Sequence, residues 1–275
     1  MSKDRSESPR ADCLADREGR LTVDIALPAA QRPRLLLLPR PKKGRPGDEG
    51  HTLELRPLAE GRWRAVVEPR PHLAEGRWDA YVLDGTGEAR QRLLPGLLDL
   101  RALQPVRDPG RTPMPLAVRV PYTTQDGFFA VRAWLRTPHA EIDTIRVSGD
   151  SMTVRGRLFG ARFGDGATVR LVRRGKNHAV REGAVHHDGG HGFSLTAAYR
   201  DLLDERGAGG EPRRSFWDVF VHPAPDGPRI RLGRLLDDVA DRKTVFVYPS
   251  ADLDGSTVRP YYTVDNDLAV VVDGA

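Results

Sequence analysis

The chain has 275 residues, 43 Lys and Arg against 38 Asp and Glu, and one cysteine. That length suits two domains of ordinary size, each able to bury its own core. A lone cysteine excludes an intrachain disulfide or cysteine-based metal centre, no apolar run approaches the roughly 18–20 residues of a membrane span, and a net charge of +5 favours anionic partners.

The first ten residues are polar and charged with no apolar core, so they are not expected to act as a secretory leader. Residues 1–17 are expected to be a disordered tail of a cytoplasmic protein, with Cys13 an incidental thiol. The first strand signal follows. Leu21, Val23, Ile25 and Leu27 alternate with polar residues and share one face. Strand-sized pieces continue at 34–38, 52–55, 62–67, 78–83, 92–94, 116–120 and 128–134, parted by turn-rich segments such as Pro46-Gly47-Asp48-Glu49-Gly50. Residues 136–141 read as a linker, with 142–147 as an opening strand. Further strands are expected at 152–158, 168–172, 183–186, 192–197, 217–221, 229–232, 244–248, 258–262 and 268–272.

The two halves echo each other. Arg77-Trp78-Asp79-Ala80-Tyr81-Val82 is an abbreviated copy of Phe216-Trp217-Asp218-Val219-Phe220-Val221, 139 residues on. The same spacing relates Pro121-Tyr122 to Pro260-Tyr261, Ala130 to Ala269 and Val131 to Val270, whereas Leu21-Thr22-Val23 and Met152-Thr153-Val154 are 131 apart. A series in constant register reads as a duplication. The difference in spacing puts about eight extra residues in the second copy, at the Gly-rich loop 201–214. The expected fold is all-β: two tandem immunoglobulin-like antiparallel β-sandwiches from an internal duplication, at 18–135 and 142–275.

Trp78 and Trp217 could be platforms for a sugar ring, but Trp-x-x-x-Val alternation in each strand favours core plugs. His186, His187, Asp188 and His191 occupy a hairpin turn and read as surface residues, not metal ligands. No Walker loop, dinucleotide fingerprint or nucleophile elbow is present, so no catalytic residue, metal or cofactor is assigned. Basic loops carry more information. Strand 34–38 runs into Arg40, Lys42 and Lys43, and strand 168–172 into Arg173, Arg174 and Lys176. Their cations could hold the phosphates of a polyanion, or could be a solvated charged hairpin that deters edge pairing. Nucleic acid is the weaker partner here, because the sequence interleaves no exposed aromatic residue with these cations.

The second half, through Phe216-Trp217-Asp218-Val219-Phe220-Val221, Arg231-Leu232-Gly233-Arg234 and Val258-Arg259-Pro260-Tyr261-Tyr262-Thr263, resembles the β-sandwich accessory modules of actinobacterial teichoic-acid-type glycosyltransferases and glycerophosphotransferases. The resemblance covers roughly 142–273 and, more faintly, 18–135. It implies a non-catalytic role in synthesis of an anionic cell-envelope glycopolymer, by binding the polymer or docking on a transferase. The alternatives are a transferase with its site at the 201–214 loop and a self-associating spacer that forms a homo-oligomer.

Overall fold

The structure is a computed structural model that describes residues 8–28, 30–41, 49–59, 61–85, 89–103, 107–175, 178–203 and 214–274. Among these there is no α-helix, only two short 3₁₀ turns at Arg101–Leu103 and Tyr199–Leu202. No described helix is long and apolar enough to cross a membrane. Two compact units form: Met1–Val106, Ala117–Leu135 and Leu236–Ala240, and Arg107–Leu116, Arg136–Leu235 and Asp241–Ala275.

The first unit holds β1 (Arg10–Ala15), β2 (Leu21–Ala26), β3 (Arg34–Pro39), β4 (His51–Glu54), β5 (Arg56–Ala59), β6 (Arg62–Val67), β7 (Gly76–Leu83), β8 (Arg90–Arg92), β9 (Leu94–Asp99), β10 (Leu116–Thr123) and β11 (Phe129–Arg136). They make two sheets, β5-β6-β2-β1-β9 and β10-β11-β7-β3-β4, with β8 on β7. Alternation fixes the faces: Leu21, Val23 and Ile25 are buried in one sheet, Leu35, Leu37, Trp78, Ala80 and Val82 in the other. Arg119 is buried too. Its guanidinium caps the carbonyls of Glu68 and Gly19, and burial lowers its pKa to about 10.

Residues 10–15 depart from the expected tail. Ala11, Cys13 and Ala15 point inward, β1 pairs antiparallel with β2 and parallel with β9, and burial pushes the Cys13 thiol up to about 12. Short small-residue alternation between charges was too weak a signal to read as a strand.

The second unit comprises β12 (His139–Ser148), β13 (Ser151–Phe159), β14 (Thr168–Arg173), β15 (Val180–His187), β16 (Gly192–Ala198), β17 (Arg214–His222), β18 (Ile230–Gly233), β19 (Ala251–Leu253), β20 (Ser256–Tyr262) and β21 (Leu268–Gly274). They form one path, β14-β15-β16-β13-β12-β18-β17-β21-β20-β19, and the extra β14–β17 pairing closes its first seven strands into a barrel. The all-β expectation holds for this unit, which includes a closed seven-stranded barrel. It closes because β17 pairs with β14 along one edge while its other edge serves β21 near the start and β18 near the end. Met152, Val154, Leu171, Leu195, Trp217, Val219 and Val270 fill the core.

Two further expectations change. The linker 136–141 lies largely within strands, since β11 ends at Arg136 and β12 begins at His139. Residues 244–248 form no strand: the Val245 and Phe246 amides both donate to the Arg242 carbonyl, as in a turn. The apolar alternation there serves packing instead, with Phe246 and Tyr248 against Tyr262 and Val245 and Val247 exposed.

Candidate functional site

Each basic loop begins at an arginine held in the same way. The Arg40 amide donates to the Arg77 carbonyl at 2.8 Å and the Arg174 amide to the Phe216 carbonyl at 2.8 Å. Arg40 grips Asp79 through Nε, at 2.9 Å from both oxygens, and Nη2, at 2.7 Å. Arg174 grips Asp218 through Nε, at 3.0 and 3.1 Å, and through Nη2. These hydrogen bonds raise the pKa of each guanidinium above its ordinary value, against the opposing effect of partial burial.

A second arginine completes each cluster. Arg92 Nη2 donates to Asp79 at 3.2 Å, and Arg231 Nη2 lies 2.6 Å from Asp218. Arg92 also reaches Asp126 at 2.5 Å and Arg231 reaches Asp267 at 3.2 Å. The Thr124 hydroxyl and then Arg92 hold the Asp126 carboxyl down at about 2, although burial acts the other way. The pairing beneath is shared as well: Trp78 faces Val131 and Asp79 faces Ala130 in β7–β11, and Trp217 faces Val270 and Asp218 faces Ala269 in β17–β21. Even the following turns agree. Gly127 (φ 74°) and Asn266 (φ 60°) both take the left-handed conformation, donating to Thr124 and Thr263 carbonyls.

Of the six cations expected to contact a polymer, Arg40 and Arg174 are thus tied to carboxylates at the roots of the loops. Arg173 ends β14, in register with Trp217, and is half-buried. Lys42, Lys43 and Lys176 lie outside the described residues. So do residues 204–213 of the alternative transferase loop, whose flanks are the Tyr199–Leu202 turn and Arg214 at the start of β17.

Neither tryptophan is a platform. Trp217 is fully buried and Trp78 is 3% exposed, with indole N–H groups donating to Ser215 Oγ and the Ala74 carbonyl. The histidine turn is spent on structure: the His187 ring stacks on Phe163 at 5.2 Å, and Asp188 accepts the Gly190 amide. Among the described residues no group of three or more His, Cys, Asp or Glu could hold a metal ion.

The sequence expectation is that no exposed aromatic residue is interleaved with the cations, and the aromatic residues beside Arg174 are half-buried. Half-buried Phe216 has the Arg174 and Arg214 guanidinium carbons 5.7 and 5.4 Å from its ring centre, and half-buried Tyr261 lies edge-on at 6.1 Å. The signal was present in the alternation of β17, which sends Arg214, Phe216 and Asp218 opposite to the core residues Trp217 and Val219. What β17 lies beside was not.

No family model matches the chain, and no curated protein matches it. Among solved structures it is similar to S. aureus TarS, at 13% identity and a TM-score of 0.29 over 70% of this chain and 37% of that one. A fragment of S. aureus TarS, residues 217–571, gives 12% identity and a TM-score of 0.29 over 71% of this chain and 58% of that one. Pullulanase type I from Bacillus subtilis str. 168, complexed with maltose, gives 13% identity and a TM-score of 0.22 over 84% and 25%. The chain therefore spans about a third to three fifths of the length of the TarS structures. Overlap this low carries no argument about site or activity.

Proposed function

We propose that this is a non-catalytic accessory protein of the cytoplasm that assists synthesis of an anionic, teichoic-acid-type cell-envelope glycopolymer by binding the polymer or docking on its transferase. On this reading the chain arose by duplication of one immunoglobulin-like unit, with the division near 136–141, and both copies kept a cationic loop after the corresponding strand. The observation that carries the reading is the shared root of those loops, Arg40 on Asp79 and Arg174 on Asp218. A bidentate arginine–carboxylate pair fixes where the loop leaves the sheet, so Arg40 and Arg174 anchor while Lys42, Lys43, Arg173 and Lys176 make the contact. The resemblance of the Phe216–Val221 and Val258–Thr263 stretches to transferase accessory modules supplies the ligand class.

The test follows from this division of labour. Reversing Arg174 would set a second carboxylate against Asp218 and confound folding with binding. Lys42→Glu, Lys43→Glu and Lys176→Glu together leave both anchors intact. Retention on immobilised teichoic acid at low salt should be lost in this variant, and wild-type retention should weaken as salt screens the charges. Retention equal to wild type would overturn the loop assignment.

A further inference from the structure

The outer face of β17, β21 and β20 in the second unit carries cations that lie outside the basic loop. Strand pairing sets Phe216 beside Val271 and Val271 beside Arg259. One row away it sets Arg214 beside Asp273, and on the other side Asp218, Ala269 and Tyr261 fall in line. Arg214, Phe216, Arg259 and Tyr261 therefore share the face opposite the buried Trp217, Val270 and Val258. Strand spacing of about 4.8 Å and a rise of about 3.3 Å per residue put the Arg214 and Arg259 Cα atoms about 12 Å apart, close enough for their long side chains to converge on one ligand.

The chemistry at this face is specific. Arg174 holds the rings: its carboxylate partner fixes the guanidinium, Nη1 donates to the Tyr261 hydroxyl at 3.2 Å, and its plane lies by Phe216. Arg214 is 59% exposed and meets Asp273 through Nε at 2.9 Å. The half-buried Arg259 side chain makes no hydrogen bond or ion pair among the described residues. Such forks bind phosphate oxygens bidentately, and the ring edges of Phe216 and Tyr261 offer apolar contact to carbon-bound hydrogens.

We propose that Arg214 and Arg259, beside the Phe216–Tyr261 ring pair, form a phosphodiester-binding subsite that takes a phosphate-linked sugar or polyol. This rests on the anionic-polymer reading above and gives the polymer a seat on the sheet beside the loop. The subsite belongs to the second unit alone. Positions 139 residues earlier hold Glu75 and Val120 for the two arginines, and Arg77 for Phe216. A single-stranded nucleic acid offers the same phosphates, but its bases need an open aromatic face, and Phe216 is already packed against two guanidinium groups.

The experiment titrates the full chain with a short oligo(glycerol phosphate) at low salt by calorimetry. Arg214→Gln and Arg259→Gln should each weaken binding about tenfold, the loss of one charge-assisted contact. Asp273→Asn should tighten it by removing a repelling carboxylate, an effect that mere loosening of the sheet would not give. Affinity unchanged in the double Arg214→Gln, Arg259→Gln variant overturns the subsite and leaves the polymer reading standing. Absence of binding by the wild-type chain overturns both. Tighter binding of oligothymidylate than of oligo(glycerol phosphate) overturns the ligand class.

Discussion

Replacing Asp218 by asparagine removes one charge and little volume, yet two arginines lean on it. The carboxylate is 13% exposed, and its partners Arg174 and Arg231 are 39% and 32% exposed. Breaking a fully buried pair costs roughly 3–5 kcal/mol, whereas an exposed pair is worth about 0–1 kcal/mol. Partners this open recover much of their hydration, so Asp218→Asn should cost about 2 kcal/mol. Asp79→Asn in the first unit should cost a similar amount, because Asp79 is 17% exposed and Arg40 and Arg92 are 33% and 24% exposed. With a urea dependence of about 2 kcal/mol per molar, the unfolding midpoint falls by about 1 M. Urea unfolding, with hydrogen exchange followed over Arg214–His222, locates the loss in β17. A double-mutant cycle with Arg174→Gln supplies the pair's own share, expected at about 1 kcal/mol. A cost under about 0.5 kcal/mol for Asp218→Asn, or single-variant costs that simply add, would refute the anchoring argument.

Trp217→Ala and Trp78→Ala should each destabilise by about 3–5 kcal/mol through the cavity left behind; tolerated truncation with loss of polymer binding would instead make them exposed platforms. Asp126 sets a pH dependence. Its folded pKa of about 2 lies below the unfolded value of about 3.9. The unfolded chain therefore takes up the proton first, and the stabilisation, complete above about pH 4, drains away as pH falls towards 2. Urea midpoints measured from pH 5 to 2 should show this decline in the wild type and a shallower one in Asp126→Asn, and equal slopes would contradict it. Cys13 should resist a disulfide reagent until the protein unfolds, because its thiolate is both inaccessible and disfavoured; prompt reaction in native buffer would remove β1 from the sheet.

The candidate site was legible only in part. The basic loops stood out because runs of Arg and Lys after a strand are a compositional signal. Their roots did not, because the Asp that ties Arg40 lies 39 residues away and the one that ties Arg174 lies 44 away. The phosphodiester subsite needed three strands side by side. Arg214 and Arg259 are 45 positions apart in the chain and meet only through β21.

Local alternation fixed much of this protein in advance: its all-β character, the inward tryptophans and the 139-residue echo are properties of neighbours in sequence, and pleating converts them directly into faces. Closure of the second unit, burial of β1 and the company kept by each arginine were decided by which strands found each other. Hydrogen bonding between strands is nearly blind to side-chain identity, so the pairing is chosen by how all the apolar faces can be covered at once, a choice that exists only in three dimensions.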